Sequence, residues 1–270
     1  MPQLANTGAT IIILHPNPIE LIPIINAIKL TSKTSNEIFV EKCDITKVED
    51  VKKFSNEWNQ SQLMPTGPSN MTKSYEIRRL DGVIFSTDFD ISNDNDVDIK
   101  EKEASSHLLL LSLLPSIIHS PNERDIRIIK LVQPLYSAGN LFSRNYTNVM
   151  EKFGTKSLKS ITIMKFLQSE IDNSKINEKV LDINKGKFKN VGNNNIKCLA
   201  ACPGFLRQET IYPLLKSKFG VFGDLIYYLL TPILIILTKS NEQGAQTILF
   251  TLLSNDVIKG QLYRDNKLIK

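Results

Sequence analysis

The chain has 270 residues, 41% of them hydrophobic and 23% charged, with a formal net charge of +5. That composition supports a sizeable core and excludes a wholly disordered or collagen-like chain, the glycines and prolines numbering 12 each. Three cysteines (Cys43, Cys198 and Cys202) are too few and odd in number for a disulfide scaffold, and the scattered lysines form no run of the nucleic-acid-binding kind.

The opening residues carry no basic and apolar signal pattern. Residues 9–14 (Ala-Thr-Ile-Ile-Ile-Leu) form a short β-branched run that reads as a strand buried on both faces. Residues 18–30 place Ile19, Leu21, Ile22, Ile25, Ile28 and Leu30 near helical spacing, with Pro23 early enough to be tolerated. A second strand at 38–40 leads to Asp44, and a helix over 48–58 carries Val51, Phe54 and Trp58 on one side. The Gln/Ser/Pro/Asn-rich stretch 59–73 reads as a polar insertion. A third strand spans 82–85. The acidic residues 88–98 read as a solvated loop, and an apolar helix follows over 103–118. A fourth strand at 127–132 precedes a long helix within 146–171. Residues 182–195 read as a second polar, Gly/Asn/Lys-rich insertion. A fifth strand covers 196–201, and a last helix covers 241–253. Between them, residues 225–237, opening at Leu225 and closing at Leu237, are apolar except for Thr231 and Pro232. Thirteen residues are too few to span a bilayer. Alternating strands and helices without a repeat predict one α/β domain, a doubly wound parallel sheet covered on both faces.

Several strings, in order, resemble the short-chain dehydrogenases/reductases, and the retinol-dehydrogenase-like branch in particular. They are Gly8-Ala9-Thr10-Ile11-Ile12, Asn17-Pro18, Cys43-Asp44-Ile45-Thr46, Leu80-Asp81-Gly82-Val83-Ile84, Cys202-Pro203-Gly204-Phe205, Glu242-Gln243-Gly244-Ala245 and Gly260-Gln261-Leu262-Tyr263. The resemblance implies a Rossmann-type fold and NAD- or NADP-dependent oxidation or reduction of a hydrophobic, lipid-like alcohol or ketone. It also implies a weak cofactor-contacting set of Asp44, Pro203 and Gly204.

The departures from the family pattern carry as much information. The family's first strand, its glycine-rich loop and most of its first helix have no counterpart here, so the glycines that cradle a pyrophosphate are missing. In the family's strand order that strand lies centrally, between the strands at 9–14 and 82–85. Either those two close onto each other, or the chain is a truncated form of a longer one; truncation is the favoured expectation. The catalytic helix of the family carries Tyr-x-x-x-Lys, whose members share one helix face and move a proton. Here Phe153 stands at the tyrosine position and Ser157 at the lysine position. Gln133 follows the fourth strand where the family serine is expected, with Ser137 four residues on. The family's Asn-Ala-Gly reads Ser86-Thr87-Asp88, and His15-Pro16 replaces a basic residue that could hold a 2′-phosphate.

Each residue also has a structural reading. Phe153 at helical spacing reads as a core aromatic, and Lys156 as solvated. Asp44 reads equally as an adenine contact or a turn cap. Tyr212 and Lys216 repeat the Tyr-x-x-x-Lys spacing by chance. Cys198 and Cys202 read as buried thiols, and the scattered His15, His107 and His119 make a metal site unexpected. The apolar run 225–237 reads as a buried capping helix broken at Pro232, as a wall for a hydrophobic small molecule, or as a segment that dips into a membrane surface. Two functions follow: a catalytically impaired oxidoreductase, or a non-enzymatic pseudo-oxidoreductase serving as a binding module. The expected placement is cytoplasmic, with a peripheral position on the endoplasmic reticulum or lipid droplets as the variant that the apolar run suggests.

Overall fold

A computed structural model describes residues 2–31, 38–61, 80–86, 96–118, 125–142, 149–173, 178–182, 187–191 and 195–269. The chain groups into two compact units, residues 1–78 with 94–116, and residues 79–93 with 117–270.

The first unit opens with α1 (Pro2–Ala5), β1 (Ile11–His15), a 3₁₀ turn (Pro18–Leu21) and α2 (Ile22–Thr31). Next come β2 (Ile38–Lys42), α3 (Val48–Ser61) and most of α4 (Asp96–Ile118). β1 and β2 pair in parallel, with Ile11 opposite Ile38 and His15 opposite Lys42. Ala5, Ile11, Ile25, Ile28 and Ile38 form the core around them. Pro23 falls in the first turn of α2, where a missing N–H costs no helical bond. On α3, Val51, Phe54, Ser55 and Trp58 are buried at the spacing of one helix face. The Trp58 indole N–H donates to the Ser116 hydroxyl at 2.9 Å, which satisfies a buried polar atom. α4 begins at Asp96, inside the acidic stretch read from sequence as a loop through residue 98. Residues 88–95 and 62–73 lie outside the described residues, and the first three residues of the insertion expected at 59–73 are helical, since α3 runs to Ser61.

The second unit holds β3 (Gly82–Phe85), β4 (Ile126–Leu131), a 3₁₀ turn (Pro134–Ala138), α5 (Val149–Asn173), β5 (Glu178–Asp182), β6 (Lys187–Val191) and β7 (Ile196–Cys202). A π turn (Arg207–Ile211), α6 (Tyr212–Phe219), α7 (Phe222–Leu237), α8 (Asn241–Leu253), β8 (Leu262–Arg264) and β9 (Lys267–Ile269) complete it. The sheet order is β3-β4-β7-β8-β9, parallel except for the β8–β9 hairpin. All six residues of β4 are buried, as a central parallel strand requires. Alternation along the strands splits the core in two. Ile129, Leu131, Leu199 and Ala201 pack with Ile248 and Leu252 of α8. Val132, Ala200, Cys202 and Leu262 pack with Ile161 of α5. Both faces of this sheet are therefore covered, the doubly wound arrangement that the alternating elements predict.

Two buried polar side chains are built into this unit. The Arg127 guanidinium, 3% exposed, donates to the Thr251 carbonyl of α8 at 2.8 Å and pairs with Asp125. The Gln168 amide donates to the Ile196 carbonyl at 3.2 Å and accepts from the Cys198 N–H at 2.7 Å, so that α5 is stitched to β7. Cys198 and Cys202 are buried free thiols, pushed up to about 12 and about 11, in each case by burial first. Four residues apart on one strand, they stand roughly 13 Å apart, beyond disulfide reach.

Two expectations are corrected. Residues 182–195 are not simply a loop, because β5 and β6 pair antiparallel with Glu178 opposite Val191 and Asp182 opposite Lys187. The β-branched and aromatic residues Val180, Phe188 and Val191 carry the strand signal there. The apolar run is not broken at Pro232, since α7 continues through it. Nor is it buried: Leu229 is 69% and Ile236 84% exposed. β1 has β2 as its ladder partner in the first unit, and β3 has β4 in the second.

Candidate functional site

In open α/β sheets, ligands bind outside the carboxyl ends of the strands. At that end of the second unit lies a cleft of about 570 Å³, lined by Ser86 after β3, Leu131 of β4, Pro203 after β7, Leu206, Glu209, Pro213 and the first turns of α8. Its wall is mainly apolar, with Ser86, Glu209 and Asn241 as polar points. Small-molecule pockets generally combine an apolar wall with a few polar points. The wall is held in shape on two sides. Lys239 N–H donates to the Phe205 carbonyl at 2.9 Å and Arg207 N–H to the Lys239 carbonyl at 3.1 Å, which ties the segment after β7 to the residues before α8. α8 itself starts with a capping box between Ser240 and Gln243. It approaches so closely that a Cβ on Gly244 would lie 2.5 Å from the Leu206 side chain and 3.2 Å from Pro203.

Pro203 thus lines the cleft. Gly204 beside it is buried at φ +89°, a left-handed conformation that glycine adopts without strain, with the Lys239 stem lying against it. Ser86 also reaches the cleft. Thr87 and Asp88 lie outside the described residues.

Phe153, Ser157 and Gln133, which the sequence resemblance sets at catalytic positions, converge as well, but into packing. The turn after β4 is clasped against the start of α5 by four interactions. Ser157 Oγ accepts from the Gln133 backbone N–H at 3.1 Å. Thr155 Oγ1 accepts from the Asn140 N–H at 2.9 Å. Phe153, 7% exposed, packs with Leu135, Phe205 and Leu214. Gly139 and Gly154 bring the two backbones together, so that a Cβ on Gly154 would sit 2.4 Å from the Leu135 carbonyl oxygen. Ser157 is 1% exposed, and Gln133 is fully buried. Lys156 is buried rather than solvated, a correction to the sequence reading. Sequence reasoning named Phe153, Ser157 and Gln133 but missed Thr155, Gly139 and Gly154. A glycine inside a helical run, next to the aromatic, was the available signal.

Proton transfer at a carbonyl needs a titratable hydroxyl or ammonium at the reacting atom. Phe153 carries neither, and Ser157 offers no ammonium to a ribose. The residues at these positions do not fit a nicotinamide nucleotide held in the family's manner. Tyr212 and Lys216 serve elsewhere: the Tyr212 hydroxyl donates to Asp224 Oδ1 at 2.8 Å, and Lys216 Nζ lies 3.4 Å from the same hydroxyl.

Asp44 belongs to the first unit. Its Oδ1 accepts from the Thr46 N–H at 3.0 Å and the Thr46 hydroxyl at 2.6 Å, and Lys47 lies 3.6 Å from Oδ2. This is a turn cap preceding α3. Burial opposes ionisation, but the Thr46 bonds and Lys47 outweigh it and hold the carboxyl below its ordinary 3.8. A depressed carboxyl stabilises the fold above the unfolded value and loses that contribution as pH falls through the folded one. Asp44→Ala is therefore expected to cost about 1 kcal/mol at neutral pH. The gap from the parent protein should close as urea melts are taken to lower pH. His15 caps locally too: its Nδ1 lies 3.1 Å from the Asn17 N–H and 2.8 Å from the Asn17 carbonyl oxygen.

Comparison with known proteins bears on this geometry. No family model matches the chain. An uncharacterized oxidoreductase of Saccharomyces cerevisiae is 27% identical over 255 residues, covering 85% of this chain and 58% of that protein. The chain thus spans a little over half the length of this curated relative. A short-chain dehydrogenase/reductase structure from Burkholderia xenovorans matches at TM-score 0.62 and 11% identity, over 97% of this chain and 85% of that one. A short-chain dehydrogenase from Salmonella enterica serovar Typhi matches at 0.56 and 14%, over 98% and 89%. An NADH-dependent reductase associated with alginate metabolism matches at 0.55 and 10%, over 97% and 87%. This chain has the fold of the short-chain dehydrogenases/reductases.

Proposed function

We propose that this chain, a short-chain dehydrogenase/reductase by fold and a relative of an oxidoreductase in sequence, acts as a binding module for a small hydrophobic molecule rather than as a catalyst. The observation that carries this reading is the clasp between Gln133–Asn140 and Phe153–Ser157. Each family catalytic position holds a side chain used for packing or for an internal hydrogen bond. The cleft beside it retains an apolar wall with three polar points, which can seat an alcohol or ketone without transferring a proton to it.

A second reading is favoured by the cleft itself. Its position outside the strand ends, with Pro203 and Gly204 in place, is where the family carries out hydride transfer with NAD or NADP. On that reading the chain is an oxidoreductase of lipid-like alcohols or ketones whose missing groups come from elsewhere.

A turnover assay separates the two. Purified protein is incubated with NADH or NADPH and a series of aliphatic and alicyclic ketones, and absorbance at the reduced-nicotinamide band is followed. No turnover above the protein-free rate is expected. Turnover that disappears in Ala245→Trp, which fills the cleft, would overturn the binding-module reading.

A further inference from the structure

α6 and α7 are fixed to each other. Gly223 lies against the backbone of Leu215 and Lys216, where a Cβ would come within 2.8 Å. The Tyr212 ring meets the Tyr227 ring edge-on at 5.1 Å, and its hydroxyl holds Asp224. Seen along α7, the inward residues are Gly223, Tyr227, Thr231, Leu234 and Thr238. The outward residues are Phe222, Leu225, Leu229, Ile233 and Ile236, all exposed, and Tyr228, Ile235 and Leu237 widen the same face. This pattern is inverted. A helix on a water-facing surface directs its apolar stripe to the core and its polar residues outward. Here the two threonines face inward, each bonded to a carbonyl of its own helix, and the large apolar side chains face outward.

The apolar face continues onto the link between the helices, where Val221 is 88% exposed and Phe219 and Phe222 are exposed beside it. Lys216 and Lys218, both exposed, border it in the last turn of α6. From Lys218 to Lys239 the intervening charged residue is Asp224, and the Tyr212 hydroxyl occupies it. Lys239 is itself paired with Asp265. The rim near the link is therefore cationic, while the face carries no side-chain hydrogen-bonding group apart from the Tyr228 hydroxyl to fix the register of a protein partner. Sixteen residues make a helix about 24 Å long. Among the described residues no helix is long and apolar enough to cross a membrane. An apolar face with a cationic border, on a helix of this length, suits insertion in the plane of a lipid surface.

We propose that the outward face of α7, with Phe219 and Val221 of the preceding link, lies in the surface of a membrane containing anionic lipids, with Lys216 and Lys218 at the level of the headgroups. The occupant is a bilayer surface, not a second copy of the chain or an apolar protein partner. The proposal is independent of whether the cleft is catalytic.

The test is flotation of the full chain with phosphatidylcholine vesicles made with and without phosphatidylserine. The chain is expected to float with the serine-containing vesicles. The double change Leu229→Asp with Ile236→Asp, at two exposed positions, should abolish flotation while leaving the thermal melt unchanged. Lys216→Ala and Lys218→Ala should each weaken binding to the anionic vesicles roughly fivefold and leave binding to phosphatidylcholine alone unaltered. Failure of the parent chain to float would overturn the proposal, as would flotation unaffected by the aspartate pair. So would a dimer in size-exclusion chromatography that the aspartate pair converts to monomer without any lipid binding, since the face would then belong to a second copy.

Discussion

Replacing Gly154 with alanine is expected to destabilise the second unit by about 3 kcal/mol or more, with Gly139→Ala of similar size. In an exposed helix the same substitution would gain up to about 1 kcal/mol, because alanine is the better helix former. The sign reverses here because of what the new methyl would meet. At Gly154 it would stand 2.4 Å from the Leu135 carbonyl oxygen and 2.6 Å from the Gly139 nitrogen. At Gly139 it would stand 2.4 Å from the Gly154 carbonyl and 2.6 Å from the Thr155 nitrogen. These are backbone atoms and cannot rotate aside, so α5 would have to move off the turn after β4. That movement would also lengthen the Ser157–Gln133 and Thr155–Asn140 bonds. Chemical denaturation of the two variants measures the cost. A Gly154→Ala protein as stable as the parent would show that the helix and the turn are not in this contact.

Phe153→Ala is expected to cost about 3 kcal/mol, from lost transfer energy plus the cavity left among Leu135, Phe205 and Leu214. The more informative change is Phe153→Tyr, which places there the tyrosine that the sequence resemblance expects. Its hydroxyl would enter an apolar cluster, and an unpaired buried hydroxyl costs about 1–3 kcal/mol. Reduced stability without any gain of nicotinamide-dependent turnover is the expected result, read from urea melts beside the ketone assay. A tyrosine variant of full stability that turns over a ketone would mean that position 153 opens onto a reacting group.

The framework of the second unit was legible in sequence because its strands are short, β-branched and apolar on both faces. Such runs at 127–132 and 196–201 have few alternatives to a buried parallel strand, whereas β3 at the sheet edge pairs in parallel but leaves Gly82 and Ile84 exposed. Other features left weaker traces. β9 follows β8 through Asp265 and Asn266, both at positive φ (55° and 59°), a two-residue turn whose signal is a single polar pair. The β5–β6 hairpin hides in a segment dominated by Lys and Asn, where composition outweighs the strand residues. The continuous apolar run at 225–237 left the surroundings of α7 open, since the same composition suits a core, a pocket wall or a lipid surface. In the site, the placing of Phe153 and Ser157 one helix turn apart was readable from spacing. That Ser157 bonds Gln133 was not, because a contact across 24 residues leaves no mark on either string.

The central claim is that the positions a nicotinamide nucleotide would need have become structural. Calorimetric titration of the full chain with NADPH, and separately with NADH, tests it most directly. No saturable heat is the predicted result for either nucleotide. Binding tighter than about 100 μM, near −5.5 kcal/mol, would contradict it, above all if Ser157→Ala weakened that binding without unfolding the protein.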